Sequence, residues 1–163
     1  MKTLTTAYAF GFMSLDNQTI SLADYRGKVL LIVNTASKCG LAKQYEVLQT
    51  LQAQYQDQGL VVIGVASQDF GKQEYTDSCQ IKTAAQQKFS LTFPLTALTK
   101  VKGDEAHPFY KWARNKVGFM GTPKWNFHKY LIGRDGQIID WYSSVTSPLA
   151  PQVTKAIEEG LKE

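Results

Sequence analysis

The chain has 163 residues and a formal net charge of +4; 44% of its residues are hydrophobic and 20% are charged. This length and balance are ordinary for one globular domain, so we expect a single domain over residues 1–163. The positive charge is scattered and forms no basic block, so no nucleic-acid partner is expected. No stretch approaches the roughly 20 apolar residues that cross a bilayer, which predicts no membrane span.

The first residues have two interpretations. Met1 to Leu15 combines one positive charge with a moderately apolar stretch, as a signal peptide does. However, Tyr8, Phe10 and Phe12 alternate with small residues, which is the period of a strand. A polar turn then precedes a second short strand at residues 19–22. We favour the β-hairpin.

Two apolar runs form the centre of the predicted fold. Residues 29–33 and 60–66 are nearly continuous apolar segments and predict two buried strands. Between them, residues 43–57 carry apolar side chains at helical spacing, and Gly59 follows as a C-terminal stop. Two buried strands joined by a helix form a βαβ unit, so the strands are expected to be parallel and covered on both faces.

The remaining elements complete an α/β fold. Asp135-Gly136 is a strong hairpin signal between two strands. We predict helices at residues 78–89, 108–115 and 151–162, and strands at residues 129–132 and 137–142. This order describes a thioredoxin-like fold: a central mixed sheet flanked by helices, with an N-terminal β-hairpin.

Two cysteines, Cys39 and Cys79, are too few for a disulfide framework. With the two histidines they show none of the close spacings of zinc sites, so neither a metal nor another cofactor is expected. Scattered thiols suit a reducing compartment, and a cytoplasmic location is therefore expected.

Cys39 is the residue that most strongly suggests chemistry. It lies in Asn34-Thr35-Ala36-Ser37-Lys38-Cys39-Gly40, between the first buried strand and the predicted helix. Unpaired N–H groups and the macrodipole at a helix N-terminus favour negative charge, and Lys38 adds a positive charge nearby. Because the thiolate is the reactive form of cysteine, this position predicts a nucleophile.

Three polar side chains are candidate partners of Cys39. Gln73 follows the second buried strand, and loops at the carboxyl ends of parallel strands converge on one crevice. Trp125 and Asn126 come just before a predicted strand. Indole and amide N–H groups are donors, and donors aimed at sulfur favour its ionised form. Such a nucleophile needs no separate base, so His107 and His128 are expected to be structural.

Several separate motifs strongly resemble the glutathione peroxidase family. The resemblance covers nearly the whole chain, and its motifs are Asn34-Thr35-Ala36-Ser37-Lys38-Cys39-Gly40, Phe70-Gly71-Lys72-Gln73-Glu74, Phe93-Pro94 and Trp125-Asn126-Phe127-His128-Lys129-Tyr130-Leu131. It implies a thioredoxin-like fold and thiol-dependent reduction of hydrogen peroxide and organic hydroperoxides. It also implies that Cys39 is the peroxidatic residue and that Gln73, Trp125 and Asn126 complete a catalytic tetrad.

The resemblance further implies a reaction cycle. Cys39 is oxidised to a sulfenic acid, which condenses with a thiol and is returned to the thiolate by a reductant. We expect a thioredoxin-like protein as that reductant, with glutathione as the second choice. Lysines at positions 38, 43, 72 and 124 could attract an anionic reductant, although isolated lysines are ordinarily solvated surface.

The chain departs from the family pattern at the resolving step. Many thiol-type members carry a resolving cysteine where Ala85 and Gln86 stand here. Cys79, nearer the start of that helix, is a possible displaced resolving residue or a spectator. The loop after Gln73-Glu74 also lacks the usual Pro-Gly.

Oligomeric state and rival functions complete the expectations. The short span from Val117 to Trp125 leaves no room for the oligomerisation loop of tetrameric relatives, so a monomer is expected. One rival hypothesis is a peroxide sensor that passes its oxidation to a partner protein by thiol–disulfide exchange. A disulfide oxidoreductase is the third, weakened because no Cys-x-x-Cys occurs.

Overall fold

The computed structural model of the chain describes residues 5–163. Within that range it contains these strands and α-helices in chain order: β1 (Gly11–Met13), β2 (Thr19–Ser21), β3 (Val29–Thr35), α1 (Gln44–Tyr55), β4 (Leu60–Ala66), α2 (Ser78–Thr83), α3 (Pro108–Val117), β5 (Lys129–Ile132), β6 (Ile138–Tyr142) and α4 (Pro151–Leu161). None of the described helices is long and apolar enough to cross a membrane.

The central sheet has the strand order β4-β3-β5-β6. β3 runs parallel to β4 and antiparallel to β5, and β5 is antiparallel to β6. The predicted mixed sheet is therefore confirmed. β3 extends beyond its predicted end at Val33, because Asn34 and Thr35 continue the ladder opposite Val65 and Ala66.

The two faces of β3 bury different partners, as the alternation of side chains along a strand requires. Leu31 lies in a core that also contains Leu48 of α1 and Val153 of α4. Ile32 lies in a second core with Phe109 of α3. Helices thus pack on both faces of the sheet. The loops that follow β3 and β4 therefore start from well-packed strand ends.

The N-terminal hairpin is confirmed as a separate two-stranded sheet of β1 and β2. The prediction that Tyr8 belongs to its first strand is wrong, because Ala7–Ala9 form a 3₁₀ turn. Thr6 caps that turn by accepting a hydrogen bond from the N–H of Tyr8, which offers the backbone an alternative to strand pairing. Residues 1–4 of the predicted N-terminal segment lie outside the described range.

The helices match their predicted positions, with two corrections. α1 ends at Tyr55, and a 3₁₀ turn leads to Gly59, whose φ of 113° makes it the predicted stop. The helix predicted at residues 78–89 is present over residues 78–88, but it is not α-helical throughout. α2 ends at Thr83 and gives way to a π-helical segment, Ala84–Lys88, a wider turn that is often found near functional sites.

Candidate functional site

Cys39 lies in a turn that connects β3 to α1. Its N–H donates to the carbonyl of Ala36 across 3.4 Å, and its carbonyl accepts from the N–H of Ala42 across 3.0 Å. The thiol is buried, with 6% of the residue exposed, and its sulfur accepts a hydrogen bond from the N–H of Leu41 at 3.3 Å. The sulfur therefore accepts from a backbone N–H of the turn itself, and α1 begins only at Gln44, five residues after Cys39.

Gln73 and Asn126 are brought together by this fold. The amide nitrogen of Asn126 donates to Oε1 of Gln73 at 3.2 Å and to the carbonyl of Phe70 at 3.2 Å. The N–H of Lys38 donates to the carbonyl of Gln73 at 2.8 Å, which ties the Gln73 loop to the Cys39 turn. Because Oε1 of Gln73 is already an acceptor, the NH₂ group is the free end of its side chain.

Trp125 lies over the loop that follows β4. Its ring centroid is 6.1 Å from that of Phe70. Gly71 has a φ of 72°, and a Cβ added to it would come within 2.9 Å of Cη2 of Trp125. The indole is 38% exposed, so one side of this ring packs on the loop while another faces solvent.

Asn34 is a positioning residue that sequence reasoning missed. Its side-chain amide donates to the carbonyl of Trp125 at 3.0 Å, and its own carbonyl accepts from the N–H of Phe127 at 2.6 Å. Phe127 has a φ of 69°, a strained value for a bulky residue of the kind that clusters at functional sites. The sequence does contain a signal for this role: Asn34 is a polar residue near the end of β3, which is otherwise almost entirely apolar.

The thiol and its three candidate partners are linked through backbone and not through direct side-chain bonds. Over residues 5–163, none of the side chains of Gln73, Trp125 and Asn126 hydrogen-bonds to the sulfur of Cys39. Nor does the NH₂ group of Gln73 or the indole N–H of Trp125 have an acceptor in that range. Both donors are therefore available to a ligand that enters the crevice.

A buried carboxyl group lies next to Gln73 and was also missed. Glu74 is 1% exposed; its Oε1 accepts from the N–H of Tyr75 at 2.9 Å, whereas its Oε2 has no partner within the described part of the chain. Burial raises the pKa of Glu74, although hydrogen bonds from Tyr75 and Ser37 and the charge of Lys38 act in the opposite direction. Burial likewise raises the pKa of Tyr45.

Both histidines are bound by backbone groups. His128 donates from Nε2 to the carbonyl of Gly121 at 2.8 Å and stacks on Trp141. Burial lowers its pKa to about 4, so the ring is neutral at physiological pH. His107 accepts the N–H of Phe109 at Nδ1 and donates from Nε2 to the carbonyl of Gly11. These contacts fit the structural roles expected for both.

Cys79 is not brought to Cys39. It is an exposed free thiol at the start of α2, and its N–H is bound by the capping carboxylate of Asp77 at 2.9 Å. Cys39 is a free thiol as well, but a buried one. The two residues form no disulfide in this structure, and they differ in exposure.

Comparison with known sequences identifies the family. Residues 7–114 match the family model described as glutathione peroxidase. A glutathione peroxidase from Lactococcus lactis subsp. cremoris is 41% identical over 143 residues, which cover 86% of this chain and 91% of that protein. A hydroperoxy fatty acid reductase from Synechocystis is 39% identical over 151 residues, covering 88% and 89%. These relatives favour an enzyme over a peroxide sensor.

Solved structures agree. The crystal structure of Trgpx in its apo form is 35% identical to this chain and superposes with a TM-score of 0.79, covering 99% of this chain and 98% of that one. A thioredoxin-family thiol:disulfide interchange protein from Chlorobium tepidum is only 15% identical, yet it covers 99% of each chain with a TM-score of 0.70. That likeness confirms the thioredoxin-like fold. The chain belongs to the glutathione peroxidase family and is a thiol-dependent peroxidase.

Proposed function

We propose that Cys39 is the nucleophile that reduces hydrogen peroxide and organic hydroperoxides, with Gln73, Trp125 and Asn126 as its partners. The observation that carries the proposal is the link between the Asn126 amide and Gln73, whose backbone is bonded to the turn of Cys39. That link leaves the N–H groups of Gln73 as the free end of the side chain.

In the proposed reaction the Cys39 thiolate attacks the terminal oxygen of the hydroperoxide. A sulfur–oxygen bond forms, the O–O bond breaks, and its electron pair leaves with the departing oxygen. That oxygen takes a proton and departs as water or an alcohol, while Cys39 becomes a sulfenic acid. The N–H groups of Gln73 and Trp125 are fixed donors that stabilise the negative charge developing on oxygen.

Asn126 supports this step through Gln73. It is fully buried, and its two N–H bonds reach Gln73 and the carbonyl of Phe70. Asn34 in turn holds the backbone on both sides of Asn126. The donors are thereby fixed before substrate arrives, which is the condition for electrostatic preorganisation.

Regeneration requires a second thiol. We propose a thioredoxin-like protein as the reductant, with glutathione second. Cys79 is a candidate resolving residue because α2 is a short helix of six residues that continues into a π-helical segment. Unwinding of α2 would have to bring the two Cα atoms within about 7 Å.

A monomer and a cytoplasmic location belong to the same proposal. The span between α3 and β5 is short, and the two thiols are free, as suits a reducing compartment. Sedimentation equilibrium measures the oligomeric state, and fractionation of the source cells measures the location. A dimer or tetramer contradicts the proposed monomer. Recovery of the protein outside the cytoplasmic fraction contradicts the proposed location.

The central test is steady-state reduction of hydrogen peroxide and cumene hydroperoxide, coupled to NADPH through either a thioredoxin system or glutathione and its reductase. Cys39→Ser is expected to abolish turnover with both reductants while circular dichroism and the unfolding midpoint stay unchanged. Cys79→Ser is the matched thiol control, and its rate with each reductant reports on resolution. Turnover by Cys39→Ser at the wild-type rate refutes the assignment.

A further inference from the structure

Lys129 is a fully buried lysine at the start of β5. It is 0% exposed, and in the sheet it lies opposite Val33 of β3 and Tyr142 of β6. Lysine is almost never fully buried unless its charge is paired, yet neither of the ion pairs formed within residues 5–163 includes it. The reason for an ammonium group at this position must therefore lie in its contacts with neutral groups.

Three backbone carbonyls bind the ammonium group of Lys129. It donates to the carbonyl of Phe127 at 2.6 Å, to that of Ser143 at 3.2 Å and to that of Ser144 at 3.5 Å. An ammonium has three N–H groups and no acceptor, so these carbonyls match its full set of donors. One carbonyl comes from the segment before β5 and two come from the segment after β6. A single side chain therefore joins both segments.

The segment before β5 carries two residues of the proposed site, Trp125 and Asn126. Phe127 follows them directly and has a φ of 69°. A bulky residue in this left-handed region is strained, and it persists only where its surroundings over-determine it. The N–H of Phe127 is held by the carbonyl of Asn34 at 2.6 Å, and its carbonyl is held by Lys129. The ammonium thus supplies one of the two hydrogen bonds that hold the Phe127 backbone beside Asn126.

The segment after β6 is joined to the helix that follows the Cys39 turn. The carbonyl of Ser144 accepts from Nε2 of Gln44 at 2.6 Å as well as from the ammonium of Lys129. Gln44 is the first residue of α1, five residues after Cys39. A continuous path of hydrogen bonds therefore runs from the start of α1, through one carbonyl and one ammonium, to the segment before β5. It joins the chain that carries the thiol to the segment that carries two of its proposed partners.

This path depends on the charge of Lys129. A neutral amine has two N–H groups and a lone pair, so one of the three carbonyls would lose its donor and face that lone pair instead. Burial lowers the pKa of Lys129 to about 7, from an ordinary value of 10.5. The group therefore has three donors below pH 7 and two above it, a change that falls within the physiological range.

The other titratable groups around Lys129 do not change charge in that range. Burial raises the pKa of both Tyr142 of β6 and Tyr45 of α1 above the ordinary value of 10. Burial lowers the pKa of His128, the preceding residue, to about 4, and the charge of Lys129 acts in the same direction. β3 has no titratable residue. Asp140 of β6 contributes to the shift of Tyr142, whereas burial is the only cause of the shift at Lys129.

We propose that protonated Lys129 is a positioning residue of the peroxidase site. Its ammonium holds the segment of Trp125 and Asn126 against the start of α1, and loss of its proton releases one of the three carbonyls and slows peroxide reduction. The proposal rests on the proposed peroxidase function and adds a residue that binds neither the sulfur nor the peroxide. Lys129 acts through the carbonyl of Phe127.

The structural arm of the test follows Trp125 without using activity. The chain is labelled with 5-fluorotryptophan, and the variants Trp112→Phe, Trp125→Phe and Trp141→Phe assign the three fluorine NMR resonances. In the wild-type protein the Trp125 resonance is expected to move with pH, with a midpoint near 7. Trp112, whose indole binds the carbonyl of Thr5, is the internal control and should not move. In Lys129→Met the movement of the Trp125 resonance should be absent.

The kinetic arm uses the ratio of kcat/KM for hydrogen peroxide in wild type to that in Lys129→Met. This ratio cancels the ionisation of the thiol, which both proteins contain. We expect a ratio of about tenfold at pH 6, since a displacement of about 1 Å caused far from the reacting atoms can cost about 100-fold. The ratio should fall by about threefold or more by pH 9. Lys111→Met removes an exposed ammonium of α3, and its ratio should stay near one at every pH.

The two proposals fail in different ways. A wild-type Trp125 resonance that does not respond between pH 6 and pH 9 overturns the role of Lys129, even where hydrogen peroxide is reduced normally. A kinetic ratio that is the same at every pH overturns it as well. Where Lys129→Met does not reach the native circular dichroism spectrum, the wild-type titration decides alone. Absence of turnover in wild type, together with a Trp125 resonance that titrates near pH 7, overturns the peroxidase proposal and leaves the positioning contact standing.

Discussion

Asn126 determines which end of the Gln73 amide is free. Its side-chain nitrogen donates to Oε1 of Gln73 at 3.2 Å, so the oxygen of Gln73 faces Asn126 and its NH₂ group is left over. The second N–H of Asn126 is held by the carbonyl of Phe70, which prevents the amide from turning over. The donor that the proposed reaction needs from Gln73 is thus determined by its neighbour.

Replacing Asn126 by Asp reverses the bond to Gln73 at almost constant shape and also removes the N–H that the carbonyl of Phe70 accepts. A carboxylate accepts where the amide donated, so the NH₂ group of Gln73 turns toward residue 126 and its oxygen becomes the free end. We expect kcat/KM for hydrogen peroxide to fall by about 100-fold, in line with the loss of one positioned donor. Asn115→Asp, an exposed position in α3, makes the same charge change as a control. A rate for Asn126→Asp within twofold of the control rules this role out.

Trp125→Phe removes the indole N–H and keeps an aromatic ring against Phe70. Because the indole is partly exposed and its N–H has no acceptor in the described chain, its loss should cost little folding free energy. We expect kcat/KM to fall by about tenfold or more with an unfolding midpoint close to wild type. Trp112→Phe is the contrasting case: it removes a bond to the carbonyl of Thr5 and should lower stability while leaving peroxide turnover intact. If Trp125→Phe instead lowers the unfolding midpoint and keeps full peroxide turnover, Trp125 is a packing residue.

Gly71→Ala tests whether the loop after β4 sets the position of Trp125. Gly71 and Gly27 both have positive φ, at 72° and 81°, so alanine at either position incurs about 1 kcal/mol of backbone strain. Only at Gly71 does the added Cβ meet the Trp125 ring, at 2.9 Å; at Gly27 it meets nothing within 4 Å. Both variants should therefore lose similar stability in urea unfolding, whereas Gly71→Ala alone should lose peroxidase activity. Equal activity in the two variants excludes the positioning role.

The sequence predicts the central strands well because their composition follows directly from burial. β3 and β4 are apolar along almost their whole length, since both faces are covered, and β4 has the predicted bounds. Prediction fails where a local hydrogen bond competes with the periodic pattern. Thr6 captures the N–H of Tyr8 and closes a 3₁₀ turn where alternation indicated a strand.

The membership of the site stays a prediction from the sequence, and its geometry does not follow from the motifs. Family motifs name Cys39, Gln73, Trp125 and Asn126, yet neither the donor direction of Asn126 nor the backbone donor at Leu41 follows from them. Residues that hold the site in place were missed because their partners are distant in sequence. Asn34 reaches Trp125, and buried Lys129 donates to the carbonyls of Phe127 and Ser143.

His128 predicts how stability depends on pH. Burial lowers its pKa to about 4 in the folded protein, whereas an unfolded histidine titrates near its ordinary value of 6.5. Between these two values the unfolded state binds a proton that the folded state does not, so the free energy of unfolding rises with pH across this window. The contribution is fully present above pH 6.5. Lowering the pH from 7 to 5 should remove about 2 kcal/mol through this residue.

The variant His128→Gln isolates that contribution. Glutamine does not titrate and can still donate to the carbonyl of Gly121, which His128 now binds at 2.8 Å. Urea unfolding at pH 7 and pH 5 should show a drop in stability that is about 2 kcal/mol smaller for His128→Gln than for wild type. All other titrating groups, including His107, whose pKa burial also lowers, are common to both proteins and cancel in the difference. Equal drops in the two proteins would show that the folded His128 ring accepts a proton as readily as the unfolded one, contrary to its burial against Trp141 and Tyr130.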